Sequence, residues 1–284
     1  MTDGTKNDIA ILGAGTMGSG IAQVCALAGC RTQLYDVKEE YVRGGIERIS
    51  SGLKQGVEKG KVTREQMKNA LDIIEPVTEI IKIKADIIIE AIPEDLFLKQ
   101  KLFGELESFN EGKALFLSNT STIPITRIAS VLKNPDNCAG LHFFNPAHIM
   151  KLVEIIVGEF TSENTIQRVR EFVFKIGKTP VLARDSPGFI VNRVARHFYV
   201  ESLKILEENV ADVETIDQLI QSSGFKMGPF KLMDLIGVDV NFAVTQSMFN
   251  SFHQDSKFRP SRIQQQKVEA GHFGKKSGKG FYGY

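Results

Sequence analysis

The sequence is poor in cysteine, in net charge and in long apolar runs, and each shortage excludes a class of protein. Three cysteines in 284 residues, Cys25, Cys30 and Cys138, are too few and odd in number for a disulfide framework. Their apolar surroundings predict buried, reduced thiols and hence a reducing compartment. No Cys/His cluster has metal-ligand spacing, so no metal is expected. Lys+Arg 35 against Asp+Glu 34 leaves a formal net charge of +1, which gives no footprint for nucleic acid or an acidic membrane surface. No apolar run approaches the roughly 18–20 residues of a membrane helix. The polar stretch Met1 to Asp8 predicts neither a secretory signal nor a transit peptide, and the cytoplasm is the expected location. Internal repeats and low-complexity tracts are also missing. What remains, 42% hydrophobic and 24% charged, is a globular chain with room for one large domain or two ordinary ones. Its expected partner is a small molecule.

What the chain does have is alternation. From Asp8 to about Ala183, short apolar runs are separated by longer amphipathic stretches. Candidate strands cover 9–12, 32–36, 86–91, 114–117, 138–143, 152–157 and 180–183. Continuous runs such as Ile87-Ile88-Ile89 fit strands covered on both faces. Helical spacing follows Gly18, where Ile21, Val24, Cys25 and Ala28 recur at i, i+3, i+4 and i+7, and returns over Asp95 to Phe109 and Asn164 to Ile176. The pattern predicts a parallel α/β sheet. After Asp185 it becomes helical. Asp185-Ser186-Pro187 reads as a cap followed by proline, opening a helix from Phe189 to about Asn209. Asp212 caps the next, and Gly228-Pro229 precedes one that runs towards Phe252. The predicted division is an α/β domain over 1–187 and a smaller all-helical domain over 188–284.

Gly13-Ala14-Gly15-Thr16-Met17-Gly18 fits G-x-G-x-x-G in the right context. A strand precedes it, a helix follows, and Asp36 ends a second strand. The first two glycines permit a tight turn and close approach of backbone to a pyrophosphate. The third lets helix and strand pack, and the helix N-terminus supplies N–H groups. Asp36 would accept from a ribose 2′-OH and repel a 2′-phosphate, which favours NAD over NADP. Further on, Glu90-Ala91-Ile92-Pro93-Glu94, with Lys99 beyond, ends a strand. These residues either line the cofactor crevice or serve as helix caps and surface charge. Ser118-Asn119-Thr120-Ser121-Thr122 follows the next strand and is either a turn or a polar site.

Leu141-His142-Phe143-Phe144-Asn145-Pro146 sets a histidine in an apolar strand, and Leu152-Val153-Glu154-Ile155-Ile156-Val157 returns after a short connection. A hairpin could set His142 opposite Glu154. A buried carboxylate needs a partner, and a His–carboxylate pair is a general base with its orienting group. Two satisfied core polar residues are the bland alternative. Asn192, at the start of the helical domain, can donate its amide to a substrate oxygen or bind only backbone.

These features in this order resemble the L-3-hydroxyacyl-CoA dehydrogenase family, including its short bacterial 3-hydroxybutyryl-CoA members. The matching segments are GAGTMGSGIAQ from Gly13, EAIPEDLFLKQKLF from Glu90, SNTSTIPIT from Ser118 and GLHFFNP from Gly140, with MKLVEII from Met150, DSPGFIVNR from Asp185 and KSGKGFY from Lys276. They span almost the whole chain. The resemblance implies a Rossmann-type NAD-binding domain followed by a helical domain, with NAD as cofactor and an acyl-CoA as substrate. His142 would be the base, Glu154 its orienting group, and Ser121 and Asn192 hydrogen-bonding partners of the 3-oxygen. The glycine turn, Asp36, Glu94, Lys99, Asn119, Asn145 and Lys276 match cofactor-lining positions. CoA phosphates would fall near Lys54, Lys59, Lys61 and Arg64, with Lys59 best aligned, although a solvated helix face explains those charges as well. S stereochemistry and a homodimer through the helical domain are also implied. Departures from the family pattern are Lys226 and the run Gln264-Gln265-Gln266. Another hydroxyacid or sugar-acid dehydrogenase on this fold and a non-catalytic nucleotide-binding relative are the alternatives.

Overall fold

The computed structural model describes residues 8–284. Its chain forms two compact units, one ending at Ser186 and one running from Pro187. The first is built on eight strands: β1 (Ile9–Leu12), β2 (Thr32–Tyr35), β3 (Ile74–Val77), β4 (Ile87–Glu90), β5 (Leu115–Ser118), β6 (Cys138–Phe143), β7 (Leu152–Val157) and β8 (Thr179–Arg184). Their order in one sheet is β3-β2-β1-β4-β5-β6-β7-β8. Pairing is parallel except between β6 and β7. The chain order reverses between β1 and β4, and ligands of such sheets bind at the carboxyl ends beside that point.

Helices α1 (Thr16–Leu27), α2 (Glu39–Glu58), α3 (Arg64–Asp72), α4 (Leu96–Phe109), α5 (Ile125–Ala129) and α6 (Glu163–Lys175) connect the strands. Ile21, Ile49, Leu53, Val169 and Phe172 pack with Ile9, Ile11 and Leu141 in one continuous core. Each such side chain contributes ~1.5–3 kcal/mol on burial. The three cysteines lie in this unit as free, buried thiols.

The turn between β1 and α1 depends on two glycines. Gly13 has φ +96°, and a Cβ there would lie 2.6 Å from the carbonyl oxygen of Ala91. At Gly18 a Cβ would fall 1.7 Å from the carbonyl oxygen of Gly13, so the helix could not pack against its strand.

Three sequence expectations are corrected. The excursion between the second and third expected strands is helical only as far as Asp72; it then adds β3 at the sheet edge. Glu75 and Pro76 are its exposed residues, which hid it, because proline is tolerated in a strand only where no ladder donor is needed. Asp185 does not cap the following helix. Its carboxylate accepts from the N–H groups of Ile125 and Thr126, at 2.9 and 2.8 Å, and so caps α5. The run towards Phe252 is two helices, broken at Gly237 with φ +110°.

The second unit comprises α7 (Val191–Glu207), α8 (Val213–Ser222), α9 (Pro229–Ile236), α10 (Val238–Ser251) and α11 (Arg262–Glu269). Tyr199, Leu203, Ile216, Phe230 and Met233 form its core, with Phe281 and Tyr282 of the tail packed on it. Asp234 holds that tail by accepting from the N–H groups of Phe281 and Tyr282, both at 2.9 Å. Gln264, from the unusual glutamine run, is fully buried between α11 and its neighbours; its amide nitrogen donates to Asn241 Oδ1 at 2.9 Å.

Candidate active site

Strands β6 and β7 set His142 directly opposite Glu154. The two side chains meet at 2.8 Å, His142 Nδ1 to Glu154 Oε2, with residue exposures of 4% and 1%. An ionised carboxylate can only accept, so Nδ1 carries the proton and Nε2 presents its lone pair. That lone pair faces Ser121 Oγ at 3.0 Å, on the loop after β5. The ring edge of Phe144, 4.7 Å away between centroids, fixes the imidazole from a third side. Glu154, His142 and Ser121 thus form one hydrogen-bonded line from the core outwards.

The loop bearing Ser121 is itself held. Asn119 bridges strands: its N–H donates to the carbonyl of Glu90 at 2.9 Å, and its Oδ1 accepts from Phe143 N–H at 2.8 Å. Glu94 Oε1 accepts from Thr120 Oγ1 at 2.5 Å, from Thr122 Oγ1 at 2.9 Å, and from the N–H groups of Ser121 and Thr122 at 3.1 Å. Its Oε2 lies 3.2 Å from the Lys99 ammonium. Burial works to raise the Glu94 carboxyl, but Lys99 and the two threonine hydroxyls outweigh it and hold the group below its ordinary value.

Lys99 is 1% exposed and bonds both oxygens of Glu90, at 2.9 and 2.8 Å. Ser118 Oγ also donates to Glu90. Lys99 therefore lies behind the crevice, with its charge consumed by two carboxylates. Neither simple reading of this segment is complete, since Asp95 is the residue that caps α4, through Leu98 N–H at 2.8 Å. Thr120 and Thr122 belong to the cluster that the sequence offers as a turn or a polar site, and their hydroxyls donate to Glu94. Their signal is the hydroxyl-rich composition at a strand's carboxyl end.

A cavity of 610 Å³ lies over the carboxyl ends of β1 and β2, lined by Gly13, Gly15, Thr16, Met17 and Asp36 among others. A Cβ on Gly15 would meet nothing within 4 Å, so the N-terminus of α1 opens into free space as a pyrophosphate cradle requires. Asp36 has two local bonds, to Ala14 N–H and Val37 N–H, each 2.8 Å, which lock its carboxylate against the glycine turn. These residues fit a dinucleotide.

Of the remaining expected residues, Asn145 is exposed in the β6–β7 connection, and Asn192 is half-buried in the first turn of α7 in the second unit. Lys276, in that unit's tail, pairs with the Asp239 carboxylate at 2.7 Å. Lys54 and Lys59 are exposed at the end of α2. Neither lines the nearest cleft of the first unit, a 550 Å³ space bordered by Gly52 and Gly56. Its basic residues are Lys61, His148, Lys151, Lys175 and Lys178, and no carboxylate is among the residues that line it.

Two family models and several known proteins match the chain. Residues 8–186 match the family described as 3-hydroxyacyl-CoA dehydrogenase, NAD binding domain, and residues 188–284 match its C-terminal domain. The chain is 47% identical over 276 residues to a 3-hydroxyadipyl-CoA dehydrogenase of Escherichia coli, covering 96% of this chain but 58% of that one. It is 40% identical to a probable 3-hydroxybutyryl-CoA dehydrogenase of Bacillus subtilis, covering 97% and 96% of the two. The crystal structure of an (S)-3-hydroxybutyryl-CoA dehydrogenase from Ralstonia eutropha superimposes with a TM-score of 0.93 at 36% identity, covering 98% of both chains.

Proposed function

Because the chain belongs to the 3-hydroxyacyl-CoA dehydrogenase family, whose first domain binds NAD, we propose that it interconverts (S)-3-hydroxyacyl-CoA and 3-oxoacyl-CoA. The observation that carries the reading is the Glu154–His142–Ser121 line, a base with its orienting carboxylate and a hydroxyl at the reacting position. In oxidation the proton of the substrate's 3-hydroxyl passes to His142 Nε2. Bound NAD would supply the acceptor for the hydride at C3. Glu154 stabilises the imidazolium as it forms, and Ser121 Oγ orients the 3-oxygen towards Nε2. Asn192, in the second unit, is assigned to substrate binding by the family pattern. In reduction His142 returns the proton to the developing alkoxide. NADH oxidation in the presence of acetoacetyl-CoA tests the activity, and no turnover would refute it.

The 47% relative is named for a six-carbon acid with a second carboxylate, and the 40% relative for a four-carbon acid. Short acyl chains such as 3-hydroxybutyryl-CoA are accordingly the proposed substrates, in fatty-acid oxidation or butanoate synthesis. We assign the ribose hydroxyls to Asp36. Asp36→Ala removes both the acceptor and the charge that repels a 2′-phosphate. The ratio of kcat/KM with NADP to that with NAD should rise about tenfold, a change of ~1.4 kcal/mol. An unchanged ratio removes Asp36 from cofactor choice.

The phosphates of CoA are assigned to the cleft of Lys61, His148, Lys151, Lys175 and Lys178. Burial and then the charges of Lys178 and Lys59 push the His148 imidazole below its ordinary value, which marks the field there as positive. Lys151→Glu should raise KM for acetoacetyl-CoA about three- to tenfold at low ionic strength, with the gap closing in salt. A thioester substrate that lacks the nucleotide should show no such change, and an equal loss on both would move the phosphates elsewhere.

A homodimer through the helical unit is proposed as well. Phe225, Leu235, Ile236 and Val240 leave that unit an exposed apolar surface. Among the described residues no helix is long and apolar enough to cross a membrane. The cytoplasm remains the proposed location.

A further inference from the structure

Among the described residues two lysines are buried, and they are satisfied in different ways. Lys99 meets two carboxylates. Lys178, between α6 and β8, is 8% exposed, and its Nζ donates to the main-chain oxygens of Ala147 and Met150 at 2.6 and 2.8 Å. No carboxylate of the described residues pairs with it; burial holds the ammonium below its ordinary value, and the Cys25 thiol draws it partly back. An ammonium has three N–H groups, so two neutral carbonyls leave one donor over and the charge without a counter-charge. This is no sealed core cation, since Lys178 lines the 550 Å³ cleft together with Lys61 and Lys151. Val24, Leu27, Val62 and Ile176 give the same cleft an apolar wall. The lining suits a flat apolar base that carries phosphate, with the base on the wall and the phosphate completing the ammonium.

The two carbonyls lie in the connection from β6 to β7, residues 144–151, which joins the strand of His142 to the strand of Glu154. Its middle is anchored at one buried residue: Ala147 is 2% exposed, and a Cβ on Gly20 would come within 3.2 Å of its methyl carbon. His148, Ile149, Met150 and Lys151 beside it are exposed. One ammonium thus belongs at once to the cleft and to the loop of the catalytic hairpin. A phosphate on its third N–H keeps it charged and fixes the side chain in place, and hydrogen bonds joined in a chain strengthen one another. A ligand that binds the closed loop and not the opened one also suppresses opening by mass action.

We infer that Lys178 binds phosphate in this cleft and couples its occupation to the hairpin, so that the nucleotide end of the substrate steadies His142 and Glu154 from a distance. This rests on the reading that places the phosphates of CoA in the cleft.

The test uses adenosine 3′,5′-bisphosphate, the nucleotide end of CoA without its acyl arm, on the full chain saturated with NADH, which occupies the other nucleotide site. Calorimetry should show binding to the intact protein that weakens about 10- to 100-fold in Lys178→Met, the scale of a hydrogen bond to a charged group. Lys178→Arg, which keeps the charge, should lose less. Amide hydrogen exchange gives the second reading. Saturating bisphosphate should slow the β6 and β7 amides of the intact protein about three- to tenfold more than those of β1, which report opening of the sheet as a whole. Equal affinity in Lys178→Met and the intact protein overturns the proposal. Equal slowing in β1 and the hairpin, or none, also overturns it, and that comparison needs no variant to fold. Failure of the underlying reading looks different, as no binding of the bisphosphate to the intact protein, and overturns both.

Discussion

His142→Ala should lower kcat for acetoacetyl-CoA reduction by at least about a hundredfold, the lower end of general acid–base catalysis, while NADH binding persists. The substitution removes the imidazole that is placed, beside Ser121 Oγ, to exchange a proton with the substrate oxygen. It also takes from the carboxylate of Glu154, which is 1% exposed, the ring N–H that it accepts from. Breaking a buried pair by removing one partner costs ~3–5 kcal/mol, so lost activity alone could reflect a loosened hairpin. A second variant separates the two effects. His142→Ala with Glu154→Gln removes the carboxylate charge as well and should recover much of the stability measured by denaturant unfolding, yet none of the turnover. Glu154→Gln by itself keeps the base but removes its counter-charge, so it should be impaired less than His142→Ala. Full activity in His142→Ala would sink the assignment of the base.

Lys99→Met should destabilise the first unit by ~3–5 kcal/mol at neutral pH, the cost of breaking a buried pair by removing one partner. Lys99 is the buried cation for two carboxylates, and its removal leaves Glu90 uncompensated among Ile87, Ile88 and Ile89. Burial already raises the Glu90 carboxyl, with Lys99, the Ser118 hydroxyl and the Ile92 N–H pulling it back. A carboxyl whose folded pKa exceeds its unfolded value contributes stability that is complete below the unfolded value and is lost as pH rises through the folded one. Without Lys99 the folded value climbs further. The deficit of the variant should therefore be greatest at neutral and alkaline pH and shrink as pH falls towards the ordinary carboxylate range. Adding Glu90→Gln should restore much of the loss. A deficit below ~1 kcal/mol at pH 8 would show that the pair contributes little. Activity should fall with stability in Lys99→Met, because Glu94 loses the cation behind it and the Ser121 loop hangs on Glu94.

The site's chemistry was legible where a strand advertises one polar residue in an apolar run. His142 and Glu154 each interrupt such a run, and the short connection suggested a hairpin that could set them opposite each other, which is the register observed. The glycine turn was legible because its residues are contiguous and backbone sterics leave few alternatives at Gly13 and Gly18. The features that stayed hidden depend on partners far apart in the chain. Glu94 gathers donors from residues 26 to 28 positions away, and Asp185 reaches back 59 and 60 positions to α5. Local rules favoured Asp185 as the cap of the next helix, and a tertiary contact won. The cationic cleft draws on residues 61, 148, 151, 175 and 178, so no window of sequence contains it. Edge strand β3 was missed for a local reason, since Glu75 and Pro76 carry the signature of a turn.

The three thiols give the molecule a reporter of its own opening. Burial pushes Cys25, Cys30 and Cys138 all upwards in pKa, so the nucleophilic thiolate is scarce while the sheet is intact. Cys138 begins β6, the strand that carries His142 four residues later. Alkylation at Cys138 therefore waits on parting of that strand from its neighbours, and its rate in native buffer reads the free energy of exposing the catalytic hairpin rather than the chemistry of sulfur. An enzymologist can follow the integrity of the site with a thiol dye and no substrate.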